Sequence, residues 1–497
     1  MGSARFYDPQ SGVYYSLFVR SFADSNGDGI GDFNGIVSKL DYLEDLGITG
    51  IWLLPIFASH SYHGYDVDDY YKTNSDYGSI KDFERLCDEC KRRSISVILD
   101  MPFNHSSLTN QWFIDSINPQ SPKRSWYRWA SANDPNIDLK GQAWGHKVWN
   151  ELNGSYYSGL YSQGMPDFNH DNPELKAEFK KILAFWLSKG ASGFRFDAAN
   201  HLYDAVKIPA TIHDGQERAI DFWTEITDYV LSVRPNAYMV GEVWDSDGVR
   251  ANYAKAFQST FHFDLGPKII DSVKNSGGAN NSNVVSVYNF YMLAREKNPN
   301  YIDAPFLSNH DQNRPAIQFE NDPDSIKLAA SIYLFLPGIP FVYYGEELGM
   351  NGSKPDEQIR TPFIWSSQNL ECQTRWIESK YNLRTVPADK QQTDRNSILN
   401  YYKSAINFRV QNQRLFKGVF HPERTGNPDV ISWIILGKGR EKIWCFFNVS
   451  NNEQVFDRPD TSKGCRILFC QKNGAALTKD SLRLPPKCAM IFGHINP

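Results

Sequence analysis

The chain of 497 residues exceeds one ordinary domain and predicts a large domain accompanied by one or two smaller ones. With 41% hydrophobic and 22% charged residues it reads as a soluble globular protein with an ample core, and no apolar run approaches the roughly 20 residues that cross a bilayer, so no membrane partner is expected. A net charge of -5 with no basic tract argues against nucleic acid, while 13 Trp and 26 Tyr suit a neutral polar ligand that stacks on flat rings.

Along the chain, apolar strand-like runs alternate with helical ones. Strands are predicted at 13–20, 48–54, 95–100, 192–197, 237–242, 260–263, 303–309 and 339–344. Helices are predicted at 35–46, 80–94, 173–189, 221–233, 284–297 and 325–336. Eight strands with helices between them predict a (β/α)₈ TIM barrel in the α/β class. The long stretch 104–171 between the third strand and its helix predicts an inserted subdomain on the active-site face. It carries Trp112, Trp126, Trp129, Trp144 and Trp149, as a wall of a sugar-binding cleft would. After a last helix at 397–411, short strands at 430–436, 442–448, 466–470 and 489–493 predict a C-terminal all-β sandwich domain. The expected division is barrel 1–104, inserted domain 105–170, barrel 171–412 and β domain 413–497.

Asp24-Ser25-Asn26-Gly27-Asp28-Gly29-Ile30-Gly31-Asp32, after the first strand, interleaves oxygen-bearing side chains with glycines. Such a loop can curl around a hard cation. It opens like an EF-hand, but Gly35 stands where that motif needs a bidentate Glu. A Ca²⁺ loop of another kind is expected, built from Asp24, Asn26, Asp28, Asp32 and the Ile30 carbonyl. The seven cysteines form no disulfide framework or zinc pattern, and Cys87 and Cys90 read as incidental residues of an exposed, charged helix. Met1-Gly2-Ser3-Ala4-Arg5 has no signal-peptide stretch, which leaves a cytoplasmic location and an extracellular one with the signal removed both open.

Four strands end in acids, imidazoles or amides: Leu99-Asp100-Met101-Pro102-Phe103-Asn104-His105, Phe194-Arg195-Phe196-Asp197-Ala198-Ala199-Asn200-His201, Val240-Gly241-Glu242-Val243-Trp244 and Leu307-Ser308-Asn309-His310-Asp311. In a closed parallel barrel these ends converge on one face, where active sites of the fold lie. Any single acid would be read first as a cap or strand end. Arg195, two residues before Asp197 and on the same face, would keep a carboxylate nucleophile ionised.

These segments together resemble the α-amylase family of glycoside hydrolases, family 13, over essentially the whole chain. The resemblance implies that Asp197 is the nucleophile, Glu242 the general acid/base and Asp311 the carboxylate that stabilises the transition state. His63 and Tyr65 (in His63-Gly64-Tyr65-Asp66), His105, Arg195 and His310 are similar to residues lining the subsite of the cleaved glucose, and Asp100 to one supporting the barrel end. Asn200 and His201 also fall among the substrate-binding positions, although Asn200 stands where many α-amylases have lysine. Asn104, Asp167 and the His201 carbonyl resemble a second Ca²⁺ site. Met165-Pro166-Asp167-Phe168-Asn169 resembles the motif of amylases intermediate between oligo-1,6-glucosidases and neopullulanases, with Phe168 in place of leucine. Ala198 stands where relatives that cleave α-1,6 bonds carry valine.

The expectation is therefore a retaining, endo-acting α-amylase that hydrolyses α-1,4 bonds of starch, glycogen and maltooligosaccharides, as a monomer. A neopullulanase-like, cyclodextrin-degrading or oligo-1,6-glucosidase activity is the alternative within the family. A non-catalytic binding protein on the same fold typically lacks one or more of the carboxylates, and all three are present here.

Overall fold

The computed structural model describes residues 7–494 apart from 136, 205–214, 276–281, 424, 438, 440, 460, 461 and 463; Met1 to Arg5 lie outside the described residues. Seven parallel strands make one sheet, in the spatial order Ser259–Thr260, Tyr238–Gly241, Gly193–Phe196, Ser96–Met101, Gly50–Leu53, Tyr14–Leu17 and Phe341–Tyr343. The two ends of this sheet meet through 304–306, where Ala304 bridges Phe261 and Phe306 bridges Phe341, both in parallel. The fold is a TIM barrel followed by an all-β domain. The strand expected at 303–309 is thus reduced to two bridges. Pro305 has no N–H to give to a ladder, and only its carbonyl is used, accepting from Phe341 N at 2.9 Å.

The barrel strands are buried on both faces because helices cover the outside and side chains fill the inside. Helix Ile80–Arg92 shows how the cover forms. Ser79 and Asp82 close a capping box at its start, and Phe83, Leu86, Cys87 and Cys90 recur on its inner face. The two cysteines therefore sit on the buried side of a helix whose other side is charged, and burial pushes both thiols well up, away from redox reactivity. The helix expected at 35–46 is split at Lys39 into Phe33–Ser38 and Leu40–Leu46. The strand expected at 13–20 stops at Leu17 and gives way to the helical turn Val19–Phe22.

Between Met101 and Pro173 the chain forms helix Gln111–Ser116, an antiparallel sheet of Trp129–Ala130, Ser155–Ser158 and Trp149–Leu152, and a hairpin of Gln142–Ala143 with His146–Lys147. Ala130, Val148, Trp149 and Leu160 give it a small core of its own.

At the C-terminal end, Val419–Pro422, Val430–Leu436, Lys442–Asn448, Cys488–His494 and Arg466–Cys470 form a five-stranded antiparallel sheet. Strand alternation gives this sheet two apolar faces. Trp433, Cys445, Phe447 and Ile491 join the core of the barrel, whereas Trp444, Phe446, Met490 and Phe492 pack with Leu482 and Leu484 of the second, three-stranded sheet. Among the described residues no helix is long and apolar enough to cross a membrane.

Candidate active site

Period-two alternation on Gly193–Phe196 sets the site. Phe196 turns outward onto Trp223, with ring centres 4.8 Å apart, while Arg195 turns into the barrel and is buried with only 1% of its side chain exposed. Its Nη1 donates to Asp100 at 2.6 Å and Asp197 at 2.5 Å, and its Nη2 donates to Glu242 at 2.5 Å. One guanidinium thus gathers carboxylates from the ends of three strands. The Trp52 ring lies 5.0 Å beneath it.

The turn after Asp197 is equally constrained. Ala198 has φ of 49°, a left-handed conformation that β-branched residues adopt poorly. It aims the Ala198 N–H at Glu242 Oε2, 3.0 Å away. Burial pushes Glu242 up to about 8; Arg195 opposes this, and the charges of Asp197 and Asp311 add to it. Burial raises Asp197 to about 6, held there by Arg195 and by a side-chain hydrogen bond with Glu242. The two carboxyl groups differ in the direction an acid and an anion require.

Asp311 faces them from 304–306 onward. Burial would raise it, but His310, Arg360 and Arg195 hold it below the ordinary carboxylate range. Arg360 Nη2 donates to Asp311 at 2.8 Å, and its Nε fixes the His310 carbonyl at 2.8 Å. Tyr65 Oη lies 2.6 Å from His310 Nε2 and 3.1 Å from Asp100. Burial lowers His310 to about 3 and His105 to about 4, so both rings are neutral hydrogen-bonding groups near pH 7. His105 Nε2 and Asn200 Oδ1 are buried without a partner among the described residues, as groups awaiting a polar ligand would be.

A cavity of about 720 Å³ opens over this constellation. Asp197, Glu242, Asp311, His63, Tyr65, His105, Asn200 and His201 line it, with Arg195 and His310 behind them. Tyr161, Lys354, Asp356 and Arg360 also line it and were not singled out from sequence. Arg360 follows the short helix Asp356–Ile359, beyond the last barrel strand, where no strand-end pattern marks it.

The glycine-rich loop folds through three successive Asx turns. Asp24 Oδ1 accepts from Asn26 N at 3.0 Å, Asn26 Oδ1 from Asp28 N at 2.9 Å and Asp28 Oδ1 from Ile30 N at 2.7 Å. Asp32 accepts from Ser25 N at 2.8 Å and caps the following helix through Gly35 N at 2.7 Å. Among the described residues no three Asp, Glu, His or Cys side chains converge as a metal cluster. No basic side chain among them forms an ion pair with Asp24, Asp28 or Asp32 either. These oxygens keep lone pairs beyond those the N–H groups use, and the donor set, completed by Asn26 and the Ile30 carbonyl, fits a hard cation.

The second set fits poorly. Asp167 accepts from Ser158 Oγ, from Leu160 N at 2.9 Å and from Asn104 Nδ2 at 3.4 Å, and burial pushes it up to about 7. The His201 carbonyl accepts from Asp204 N at 3.1 Å, and the His201 ring pairs with the Asp204 carboxylate.

Comparison with known proteins gives this geometry a family. The model for the alpha amylase catalytic domain matches residues 16–418. Alpha-amylase 3 of Dictyoglomus thermophilum is 40% identical over 97% of this chain and 93% of its own length. The 4-alpha-glucanotransferase of Thermotoga maritima is 32% identical over 90% of this chain and 97% of its own. The crystal structure of the alpha-amylase from H.orenii superposes with a TM-score of 0.89 at 36% identity, covering 98% of this chain and 100% of that one. Barrel, site and relatives agree: the chain belongs to the α-amylase family of glycoside hydrolases and is an enzyme of glycosidase type.

Proposed function

We propose that the protein hydrolyses internal α-1,4-glucosidic bonds of starch and maltooligosaccharides with retention, through a covalent glycosyl-enzyme on Asp197. The observation that carries this reading is the opposite poise of two carboxyl groups sharing Arg195: Asp197 at about 6 and Glu242 at about 8. At neutral pH Asp197 is ionised and attacks the anomeric carbon. Glu242 is protonated and gives its proton to the departing glycosidic oxygen, then takes one from the incoming water. The two carboxylates each lie 2.5 Å from one Arg195 guanidinium, on Nη1 and Nη2, and this closeness supports retention, because inverting enzymes hold theirs roughly 6.5–9.5 Å apart to admit a water. Asp311, His105, His310 and Tyr65 would hold the sugar hydroxyls while positive charge develops on the ring.

The choice of α-1,4 over α-1,6 bonds rests on Ala198 and on the relatives named alpha-amylase. Chromatography of products from starch, pullulan and isomaltose, side by side, tests it. Maltooligosaccharides from starch are expected; glucose from isomaltose with starch untouched would overturn it and favour the oligo-1,6-glucosidase alternative.

We also propose that Asp24, Asn26, Asp28, Asp32 and the Ile30 carbonyl hold Ca²⁺. It would neutralise three carboxylates that lack a basic partner among the described residues. A cation bound only to the folded chain stabilises it by mass action, about 2.7 kcal/mol at a hundredfold excess over Kd. Excess EDTA is therefore expected to lower the melting temperature, and restored calcium to return it. An unchanged transition would count against the site. At the second set the chain itself connects the insertion to the barrel: Asn104 Nδ2 donates to Asp167 at 3.4 Å, and the Asn104 carbonyl accepts from Phe168 N at 3.0 Å.

A further inference from the structure

Asp311 and Arg314 grip consecutive residues of another segment. Asp311 accepts from Arg360 Nη2 at 2.8 Å, and three residues later Arg314 Nε donates to the Ile359 carbonyl at 3.0 Å. The turn 311–314 is thereby closed into a ring against the end of the short helix Asp356–Ile359. Arg314 is fully buried and reaches further. Its Nη1 donates to the Tyr344 carbonyl at 2.7 Å, just past the last barrel strand, and its backbone N–H donates to the Gly352 carbonyl at 2.9 Å. The Tyr343 and Tyr344 rings are centred 4.4 and 4.9 Å from its guanidinium carbon. Both tyrosines also reach the same segment: Tyr343 Oη donates to the Ile359 carbonyl at 3.0 Å and Tyr344 Oη to the Thr361 carbonyl at 2.9 Å. The residues on either side of Arg360 are thus fixed to the barrel.

A buried guanidinium costs desolvation, and an apolar side chain of similar volume often serves stability as well. The bonds of Arg314 go to carbonyls, and its Nη2 has no partner among the described residues. Its fork spans the two carbonyls that join the strand end to the Arg360 segment, which a single ammonium cannot do. Packing leaves no slack, for a Cβ on Gly352 would come within 3.1 Å of Arg314 Cδ and 2.6 Å of the Gln358 carbonyl. Burial raises Glu346 to about 8 and pushes Glu347 in the same direction, and the charge of Arg314 opposes both. A variant that keeps a cation therefore separates this electrostatic role from the work of the fork.

We propose that Arg314 is a positioning residue for the reaction, acting through Arg360 on Asp311. By holding Ile359 to the strand end it sets where the Arg360 guanidinium stands. Arg360 in turn aims Asp311 through Nη2 and fixes the His310 carbonyl through Nε at 2.8 Å. The inference rests on the reading of Asp311 as the carboxylate that holds sugar hydroxyls while positive charge develops on the ring. Bonds that tighten only in the transition state depend steeply on placement. A displaced Arg360 is therefore felt in kcat and much less in ground-state binding.

The test is a double-mutant cycle on maltotriose hydrolysis, in the whole enzyme, with Arg314→Lys, Arg360→Met and the two together. Arg314→Lys keeps the charge but cannot serve both carbonyls, and should lower kcat about tenfold with KM changed less than about twofold. Affinity for the cationic iminosugar 1-deoxynojirimycin, which mimics the charged ring, should fall in parallel with kcat. In the Arg360→Met background the same change should cost less than about twofold, because its route to Asp311 is already cut. Melting temperatures check that each variant folds, and the inhibitor affinity of Arg314→Lys alone decides the matter if the double variant does not. Wild-type kcat and inhibitor affinity in Arg314→Lys, or losses that multiply in the double variant, would overturn the inference and leave Arg314 a stabilising residue only. Absence of maltotriose cleavage by the wild type would instead sink the hydrolase reading.

Discussion

Replacing Glu242 by glutamine is expected to lower kcat on starch by about 10³-fold, within the range that a positioned proton donor supplies, while leaving the fold in place. Glutamine keeps the shape and still accepts from Arg195 and Ala198 through its carbonyl oxygen, but it has no proton to give. The loss should be far smaller on an activated glycoside whose leaving group departs without help. The pH profile separates this role from a structural one. In the wild type kcat/KM should fall below about pH 6, as Asp197 becomes protonated, and above about pH 8, as Glu242 loses its proton. Because the two groups share Arg195 and the charge of Asp197 raises Glu242, these limits belong to the pair. The alkaline limb should vanish in the glutamine variant; a full alkaline limb there would assign it to another group.

The second large effect is expected at Arg195. Its guanidinium bonds Asp100, Asp197 and Glu242 in a buried site, so Arg195→Met leaves three carboxylates without their cation. Breaking a buried pair from one side costs about 3–5 kcal/mol. The sign of the pH effect follows. Arg195 lowers Asp197 against the upward push of burial, so its removal raises that group further and protonates it near neutrality. Denaturant unfolding should show the lost stability, and any residual activity should rise with pH where the wild type has already reached its plateau. Arg195→Lys should recover part of both, since a point charge cannot serve three acceptors in the fork geometry of a guanidinium. A methionine variant with wild-type stability and an unmoved acid limb would contradict this role.

What could be read from the sequence was governed by distance along the chain. The positions of Asp197, Glu242 and Asp311 were legible because each ends an apolar run, and parallel strands carry such ends to one face. The consequence of Ala198 was only half legible. Its small size is a sign of bond choice in the sequence, but the left-handed backbone that disfavours a β-branched residue there is a property of the folded turn. Arg360 was missed because it reaches Asp311 from a segment beyond the last strand, where neither periodicity nor a motif marks it. The seventh strand was overpredicted because apolar composition does not reveal that Pro305 interrupts the ladder. The sequence marks Trp144 as part of a cleft wall, yet its place over His201 depends on a hairpin turn that turn preferences would assign to asparagine and glycine.

Attack of Asp197 on the anomeric carbon leaves a covalent adduct that can be trapped. The most direct measurement is mass spectrometry of peptides from the Glu242→Gln enzyme after brief reaction with α-maltosyl fluoride, whose fluoride leaves without an acid but whose adduct needs a general base to hydrolyse. The peptide carrying Asp197 should gain the mass of one maltosyl unit. An adduct on Asp311, or no adduct together with release of the inverted β-anomer, would contradict it.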